Sequence, residues 1–291
     1  MSALVNQEHE IFKLPDGRHL GYAKYGDPDG RPVLFFHGIP GSRLQRHPDL
    51  QMFQDLSICV YALDRPGTGL SSRQPRRTLL DWAEDVRAFC DGMGIGRFAC
   101  LGISAGGPYA LACAYRLPER VSCAALVSSL PPLQRSELFA MQAPKMRLMF
   151  RLAERAPVLM QAAAALLYRR YRRHFRQAFE KLAAELPESD KKLLDQPEIA
   201  AMFINDVGQA FRQGGRGVVM DMNVLCKPWG FSPAEVIVPI HIWHGTSDTV
   251  APYQAVHAFA EFPNGQTHWI DGAGHFMALQ YGKEIFGTLI F

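Results

Sequence analysis

Short apolar runs alternate with amphipathic stretches at both ends of this chain. The apolar runs predict strands near residues 10–14, 19–25, 33–37, 58–63, 97–102, 121–128, 238–244 and 266–271. Helices are predicted at about 78–91, directly after Ser104, between the last two strands, and from about residue 276. This alternation indicates an α/β fold, with a mostly parallel, doubly wound sheet and helices on both faces.

Between residues 131 and 232 the pattern changes to helical runs without a convincing strand. These runs are rich in Met, Ala, Leu and Arg and cover 137–155, 157–186 and 197–212. A long helical insertion after the sixth strand is typical of a cap that lies over an active site. We therefore expect a core made of residues 1–130 and 233–291, and an inserted all-helical cap made of residues 131–232.

Length and composition describe an ordinary globular protein. The chain has 291 residues, 48% of them hydrophobic, and a formal net charge of +3, which is enough to bury one core plus an insertion. Residues 1–10 lack the basic and apolar regions of a signal peptide. The longest apolar stretch, 156–167, is interrupted by Gln161 and is too short to span a bilayer. We expect a cytoplasmic protein without stable membrane insertion.

The six cysteines include no Cys-x-x-Cys pair, and most lie in apolar surroundings. Buried free thiols are therefore expected, in keeping with a reducing compartment. No His or Cys cluster has the spacing of a metal site, and no glycine-rich loop has a phosphate-binding or dinucleotide-binding pattern. We expect neither a metal nor a cofactor.

The candidate nucleophile is Ser104, in a Gly-x-Ser-x-Gly segment between a predicted strand and a predicted helix. A turn this sharp strains the serine backbone and lifts its hydroxyl clear of the sheet. Gly102 and Gly106, two residues to either side, relieve the crowding. Pro108 suits the first turn of the following helix. We interpret Ser104 as a nucleophile rather than as part of a plain structural turn.

A serine nucleophile needs a base and a carboxylate that orients the base. Asp248 lies in the loop after the strand at 238–244, and His275 lies in the loop after the strand at 266–271. The order Ser104, Asp248, His275, each at the carboxyl end of a strand, is the order this kind of sheet uses. The alternative for Asp248 is a turn aspartate, and no acidic residue follows the strand at 121–128.

The chain has ten histidines, so position must distinguish them. His241 and His268 lie inside predicted strands, where a packed imidazole with one hydrogen bond is the simpler interpretation. His244 precedes the turn and is expected to help shape it. His275 is the histidine expected to act as general base.

The tetrahedral intermediate needs hydrogen-bond donors placed in advance. We expect these oxyanion-hole donors to be the backbone N–H groups of Ala105 and Ile39. Gly38 allows a close backbone approach, and Pro40 fixes the chain after Ile39, through a bond that is cis or trans. His37 is expected to brace this loop by hydrogen bonding.

Together these segments resemble the α/β-hydrolase fold superfamily, in its single-domain form with an inserted cap. The resemblance rests on residues 37–41, 64–71, 102–106, 244–248 and 272–275. It covers nearly the whole chain except the cap. It implies a triad of Ser104, Asp248 and His275 with an oxyanion hole at Ile39 and Ala105, and it makes the segment at 64–71 structural.

The predicted cap is basic, with 16 Lys and Arg against 10 Asp and Glu, and its densest cluster lies at 169–176. We interpret that cluster as a solvated helix face. The alternative is attraction of anionic substrates or of a membrane surface. Few aromatic residues are interleaved with the arginines, so no nucleic-acid partner is expected.

The predicted activity is hydrolysis of carboxylic esters of small to medium apolar substrates through an acyl-enzyme, by an esterase-like serine hydrolase. Haloalkane dehalogenases and epoxide hydrolases need a carboxylate where this chain has Ser104. An aminopeptidase of the proline iminopeptidase type would need cap acids for the substrate ammonium, and Glu137, Asp206 or Asp221 could serve. A carbon–carbon bond hydrolase, a cofactor-free lyase and a non-catalytic receptor remain alternatives. The partner expected is a small molecule, and the oligomeric state stays open.

Overall fold

A computed structural model describes residues 4–171, 174, 177, 180–181 and 183–290 of the chain. The predicted helix over 157–186 is described as far as Tyr171. Most of its remainder, and Arg172, Arg173 and Arg176 of the basic cluster, lie outside the described residues.

The described residues contain one eight-stranded sheet, in the spatial order β1-β2-β4-β3-β5-β6-β7-β8. The strands β3 to β8 are parallel, whereas β2 pairs antiparallel with β4 and β1 pairs antiparallel with β2. The strands are β1 Val5–Lys13, β2 His19–Gly26, β3 Arg31–Phe36, β4 Ile58–Leu63, β5 Phe98–Ile103, β6 Val121–Val127, β7 Ile240–Gly245 and β8 Gly265–Ile270.

Helices cover both faces of the sheet, which is why its inner strands are continuous apolar runs. All six residues of β4 and of β7 are buried. Alternate side chains of β4 belong to two separate apolar clusters, one on each face. The helices are α1 Gln51–Asp55, α2 Leu79–Gly92, α3 Gly107–Arg116, α4 Ser136–Ala140, α5 Pro144–Arg155, α6 Pro157–Tyr171, α7 Glu188–Leu194, α8 Pro197–Ala210, α9 Arg216–Cys226, α10 Tyr253–His257 and α11 Gly282–Gly287.

The predicted fold class is confirmed, and the differences are local. The first strand begins at Val5 rather than near residue 10, because pairing with β2 extends it through polar residues that carry no apolar signal. The predicted helix over 137–155 is two helices. Ala143 is extended in front of Pro144, which begins α5 in the way proline favours.

Two helices of the insertion, α7 and α9, were not predicted, and the last predicted helix is also different. Residues after His275 form a 3₁₀ turn, Met277–Leu279, and then the short α11. Between β6 and β7 the described residues contain no strand, as the sequence predicts.

All six cysteines are free, as predicted, and only Cys226 is partly exposed. Among the described residues, no helix is both long and apolar enough to cross a membrane.

Candidate active site

The predicted catalytic residues follow three strands of the parallel part of the sheet. Ser104 comes directly after β5, whereas Asp248 and His275 lie in the loops after β7 and β8. Because β5, β6, β7 and β8 all run in one direction, their carboxyl ends lie at one edge of the sheet. That edge is where ligands bind in open α/β sheets.

Ser104 has a left-handed backbone, with φ of +54°. A non-glycine residue in this region costs on the order of 1–3 kcal/mol and persists only where its surroundings enforce it. Residues 104–106 form a 3₁₀ turn that leads into α3, with Pro108 in its first turn. The predicted strand–turn–helix around the serine is therefore present.

Gly102 and Gly106 are needed because there is no room for a side chain at either position. Their backbone conformation does not require glycine, since neither has a positive φ. A Cβ on Gly102 would collide with the backbone of Gly106, and a Cβ on Gly106 would collide with the carbonyl oxygen of Phe36. The turn therefore fits tightly against β3, the strand that leads into the loop at 37–42.

Asp248 and His275 are in direct contact. His275 Nδ1 lies 2.8 Å from Asp248 Oδ2, while Asp248 Oδ1 accepts the backbone N–H groups of Val250 at 2.8 Å and Ala251 at 2.9 Å. Since a carboxylate only accepts, Nδ1 carries the proton of this bond. Nε2 of His275 is then the nitrogen left to accept a proton.

The charges around His275 favour its protonated form. Burial by itself lowers the pKa of His275, but the Asp248 carboxylate, through its charge and its hydrogen bond, together with the charge of Asp190, raises that pKa above the ordinary value. The side chains of Ser104 and His275 are each 8% exposed. No hydrogen bond joins them among the described residues, and such bonds often tighten only when substrate is bound.

The loop after β3 is braced through His37. Its Nε2 lies 3.4 Å from the N–H of Arg65, and its Nδ1 lies 2.9 Å from the carbonyl of Gly38. A backbone N–H can only donate, so Nε2 accepts and Nδ1 donates. Burial, with help from the Arg65 charge, holds the pKa of His37 well below its usual range. The neutral imidazole therefore makes two hydrogen bonds to backbone groups, one on each ring nitrogen.

This loop lies against the serine. A Cβ on Gly38 would be 3.4 Å from Ser104 Cβ, and the Ile39–Pro40 bond is cis. The turn, loop and cap hydrogen bonds of the described residues include none donated by the N–H groups of Ile39 or Ala105. These two N–H groups, next to the serine, are therefore the candidates for binding an anion there.

Arg65 holds the same loop through its carbonyl groups. Its guanidinium donates to the carbonyls of His37 at 2.5 Å and Gly38 at 2.9 Å, while its Nε donates to Asp221 in α9 at 2.7 Å. Asp221 also accepts from Arg77 and, at 3.1 Å, from the hydroxyl of Tyr109. The carbonyls of His37 and Gly38 therefore point at a cation that is itself held by the insertion.

Asp221 is one of three buried aspartates that reach from the helical insertion to the loops of the core. Asp206, in α8, accepts the N–H and hydroxyl of Ser42 at 2.6 and 2.7 Å. Asp190, in α7, accepts the N–H groups of His275 at 2.8 Å and Phe276 at 2.9 Å. The three side chains come from three successive helices, and none is more than 1% exposed.

The competing histidines have structural surroundings. His241 and His268 contact each other at 3.3 Å, and His268 stacks on Trp243 with ring centroids 4.0 Å apart. His244 Nε2 lies 2.9 Å from the carbonyl of Ala251, in the turn that contains Asp248. Burial lowers the pKa of His244. These positions agree with the packing and turn-shaping interpretations.

The sequence predicted no individual role for Asp190 or Arg65. It suggested Asp206 and Asp221 only as candidate contacts for a substrate ammonium group. A signal for the last two does exist in the sequence. Each is a single carboxylate on the buried, largely apolar side of an insertion helix, where an ionisable group is rarely found without a partner. Their partners in the core lie far away in the sequence: Ser42 is 164 positions from Asp206, and Arg65 is 156 positions from Asp221.

Comparison with known proteins agrees with this architecture. A family model described as the alpha/beta hydrolase fold matches residues 31–280. An esterase, RhEst1, from Rhodococcus sp. ECU1013 is similar in structure, with a TM-score of 0.70 at 20% identity over 98% of this chain and 100% of that one.

Two curated relatives match a shorter stretch. A proline iminopeptidase from Xylella fastidiosa (strain 9a5c) is 30% identical over 122 residues, 40% of this chain and 37% of that protein. A non-heme chloroperoxidase from Streptomyces lividans is 34% identical over 120 residues, 40% of this chain and 44% of that protein. The chain thus spans less than half the length of these relatives. With the family match extending over most of its length, the chain belongs to the α/β-hydrolase fold family.

Proposed function

We propose that this hydrolase cleaves carboxylic esters of small to medium apolar substrates, with Ser104, Asp248 and His275 as its triad. The observation that carries the proposal is the 2.8 Å contact between His275 Nδ1 and Asp248 Oδ2, at the sheet edge where the strained Ser104 begins α3. A base oriented by a buried carboxylate is what a serine hydroxyl needs in order to react.

The reaction needs only groups that this chain supplies and water. Ser104 Oγ forms a bond to the ester carbonyl carbon while its proton passes to Nε2 of His275. The tetrahedral intermediate collapses, the bond to the alcohol oxygen breaks, and His275 returns the proton to the leaving alkoxide. Water then attacks the acyl-enzyme in the same way, which releases the acid and restores Ser104.

The negative oxygen of each tetrahedral intermediate would be bound by the N–H groups of Ile39 and Ala105. Neither donates a turn, loop or cap hydrogen bond among the described residues, and the turn that carries Ala105 fits tightly against Phe36. Donors that are already in position need no reorganisation during the reaction, and removing one such donor costs about 100- to 1,000-fold in rate in other hydrolases.

We further propose that residues 131–232 act as a cap on a core of residues 1–130 and 233–291. The contacts that support this proposal come from the aspartates of α7, α8 and α9: Asp190 bonds to His275, Asp206 bonds to Ser42, and Asp221 bonds to Arg65, which in turn holds the loop carrying His37. Phe203 of α8 also packs edge-on against Phe276, with ring centroids 5.2 Å apart.

The aminopeptidase alternative is less well supported by the acids it would use. Asp221 is occupied by two arginines, Glu137 is exposed and paired with Arg135, and burial raises the pKa of Asp206 to about 8. A carboxyl that is neutral at pH 7 is a poor partner for an ammonium group. Carbon–carbon hydrolysis, lyase chemistry and a non-catalytic receptor use or keep the same residues, so they must be separated by assay.

The test is turnover of p-nitrophenyl esters of increasing acyl length, beside an aminoacyl anilide and a vinylogous diketone. We expect ester hydrolysis that Ser104→Ala removes, while Ser136→Ala, an exposed serine of the insertion, has no effect. Ester turnover retained by Ser104→Ala would reject the proposal. Faster turnover of the anilide would indicate an aminopeptidase, and faster turnover of the diketone would indicate a carbon–carbon bond hydrolase. Tight ligand binding with no turnover would indicate a receptor.

A further inference from the structure

Asp190 lies far from the triad in sequence but touches it in the structure. Its carboxylate is fully buried, and its two oxygens accept two consecutive backbone N–H groups: Oδ2 that of His275 at 2.8 Å, and Oδ1 that of Phe276 at 2.9 Å. The carboxylate is therefore bonded directly to the backbone that carries the candidate base.

The loop is built to admit this carboxylate. A Cβ on Gly274 would collide with the Asp190 carboxylate, so glycine at 274 is what allows the close approach. Consecutive N–H groups that face one anion form a concave binding site for it. Asp190 fills that site with a side chain from the insertion.

Three titratable groups surround the His275 imidazole or its partner. Asp248, from the loop after β7, contacts Nδ1 directly, and Asp190, from α7, bonds the backbone. His244, from β7, lies behind Asp248, with its Nε2 3.5 Å from Asp248 Oδ2. Burial raises the pKa of Asp190, while its two backbone donors and the charge of His275 oppose that rise.

We propose that Asp190 is a positioning residue for the base: its carboxylate fixes the His275 backbone and places a second negative charge beside the imidazole. This inference rests on the proposed function and extends it. The insertion then contributes a residue that positions the catalytic base, in addition to its proposed role as a cap. Asp190 itself touches no reacting atom, so it acts through His275.

Two substitutions separate its charge from its geometry. Asp190→Asn removes the charge and leaves one of the two N–H groups without an acceptor. Asp190→Glu keeps the charge on a longer side chain that cannot repeat both hydrogen bonds. The control is Asp195→Asn, which removes an exposed carboxylate at the end of the same helix. Circular dichroism checks that each variant is folded.

The readout is kcat/KM for a p-nitrophenyl ester as a function of pH. We expect Asp190→Asn to lower kcat/KM about 10- to 100-fold, the cost of a small misplacement of catalytic groups, and to shift the midpoint of the profile to lower pH. Asp190→Glu should lose rate but keep a midpoint near that of the unsubstituted protein. Asp195→Asn should change neither.

A purely structural Asp190 would lower activity without moving the midpoint, and that result in folded Asp190→Asn overturns the inference. Titration of the His275 ring resonances by NMR decides the same question without turnover. If the unsubstituted protein hydrolyses no ester, the proposed function fails by itself. An unshifted His275 titration in Asp190→Asn then still rejects the positioning role, and a shift to lower pH still supports it.

Discussion

Arg65 and Asp221 form a buried ion pair between the core and the helical insertion, with Nε 2.7 Å from Oδ2 and neither side chain more than 1% exposed. The same guanidinium holds two carbonyls of the loop beside Ser104. Burying such a pair costs desolvation, and its net contribution to stability is often small. Its value here is geometric, because the insertion and the loop beside Ser104 share one fixed cation.

Breaking this pair should be far more costly than its net contribution suggests. Asp221→Asn leaves the buried charges of Arg65 and Arg77 without a carboxylate. We expect a loss of about 3–5 kcal/mol in the free energy of unfolding, as for other buried pairs that lose one partner. Urea denaturation measures it. Glu137→Gln, which removes an exposed carboxylate paired with Arg135, should leave the midpoint unchanged, and equal losses in both variants would contradict this account.

Asp206 should make stability depend on pH. Burial raises its pKa to about 8, whereas an aspartate in an unfolded chain titrates near about 3.9. The folded protein therefore keeps a proton that the unfolded chain releases. The contribution of Asp206 is fully present below about pH 4 and is lost as the pH rises towards 8, by up to about 1.4 kcal/mol per pH unit.

Asp206→Asn cannot ionise, yet its side-chain oxygen can still accept from Ser42. Denaturation at pH 5, 7 and 9 should therefore show the variant gaining stability relative to the unsubstituted protein as the pH rises. Parallel stability curves for the two proteins would show that Asp206 titrates normally.

Gly106 should tolerate no side chain. In Gly106→Ala the new methyl group meets the Phe36 carbonyl, and overpacking of this kind costs about 1–3 kcal/mol. The matched control is Gly208→Ala in α8, where a Cβ has nothing within 4 Å and alanine favours the helix by about 0.5–1 kcal/mol. Gly106→Ala should lower both the midpoint of thermal denaturation and the rate of ester turnover. Gly208→Ala should leave turnover unchanged and should not lower the midpoint. Full activity in Gly106→Ala would show that the turn is less constrained than its packing indicates.

The pH profile of the proposed reaction should follow His275, whose neutral form is the base. Its raised pKa means that kcat/KM increases as the pH rises through a value above that of an ordinary histidine. In Asp248→Asn the effect of burial is no longer opposed by that carboxylate, so the midpoint should fall. The rate should drop on the order of 10⁴-fold, as in other triads that lose their carboxylate. A profile without a midpoint near neutrality would argue against a histidine base.

The sequence was sufficient to predict the sheet and the contact between Asp248 and His275. Each of these residues follows a short apolar run, and parallel strands bring their carboxyl ends together whatever lies between them. The strained turn at Ser104 was equally predictable, since its signal is local. What these features share is that a few neighbouring residues determine them.

The insertion was predictable as helical but not in how it contacts the core. Asp190 is 85 positions from His275, in a charged helix of seven residues that gives no amphipathic pattern. The Asp206–Ser42 contact joins residues 164 positions apart. Periodicity identifies which side of a helix is buried, but it does not identify the distant loop against which that side packs. The break at Pro144 was missed because apolar periodicity continues on both sides of it.

Mass spectrometry after reaction with a fluorophosphonate tests the central claim most directly, because the reagent needs both an activated serine and an oxyanion site. We predict a single adduct on the peptide that contains Ser104, no adduct in Ser104→Ala, and much slower labelling in Asp248→Asn. An adduct on another residue, or equal labelling of the Ser104→Ala variant, would contradict the account.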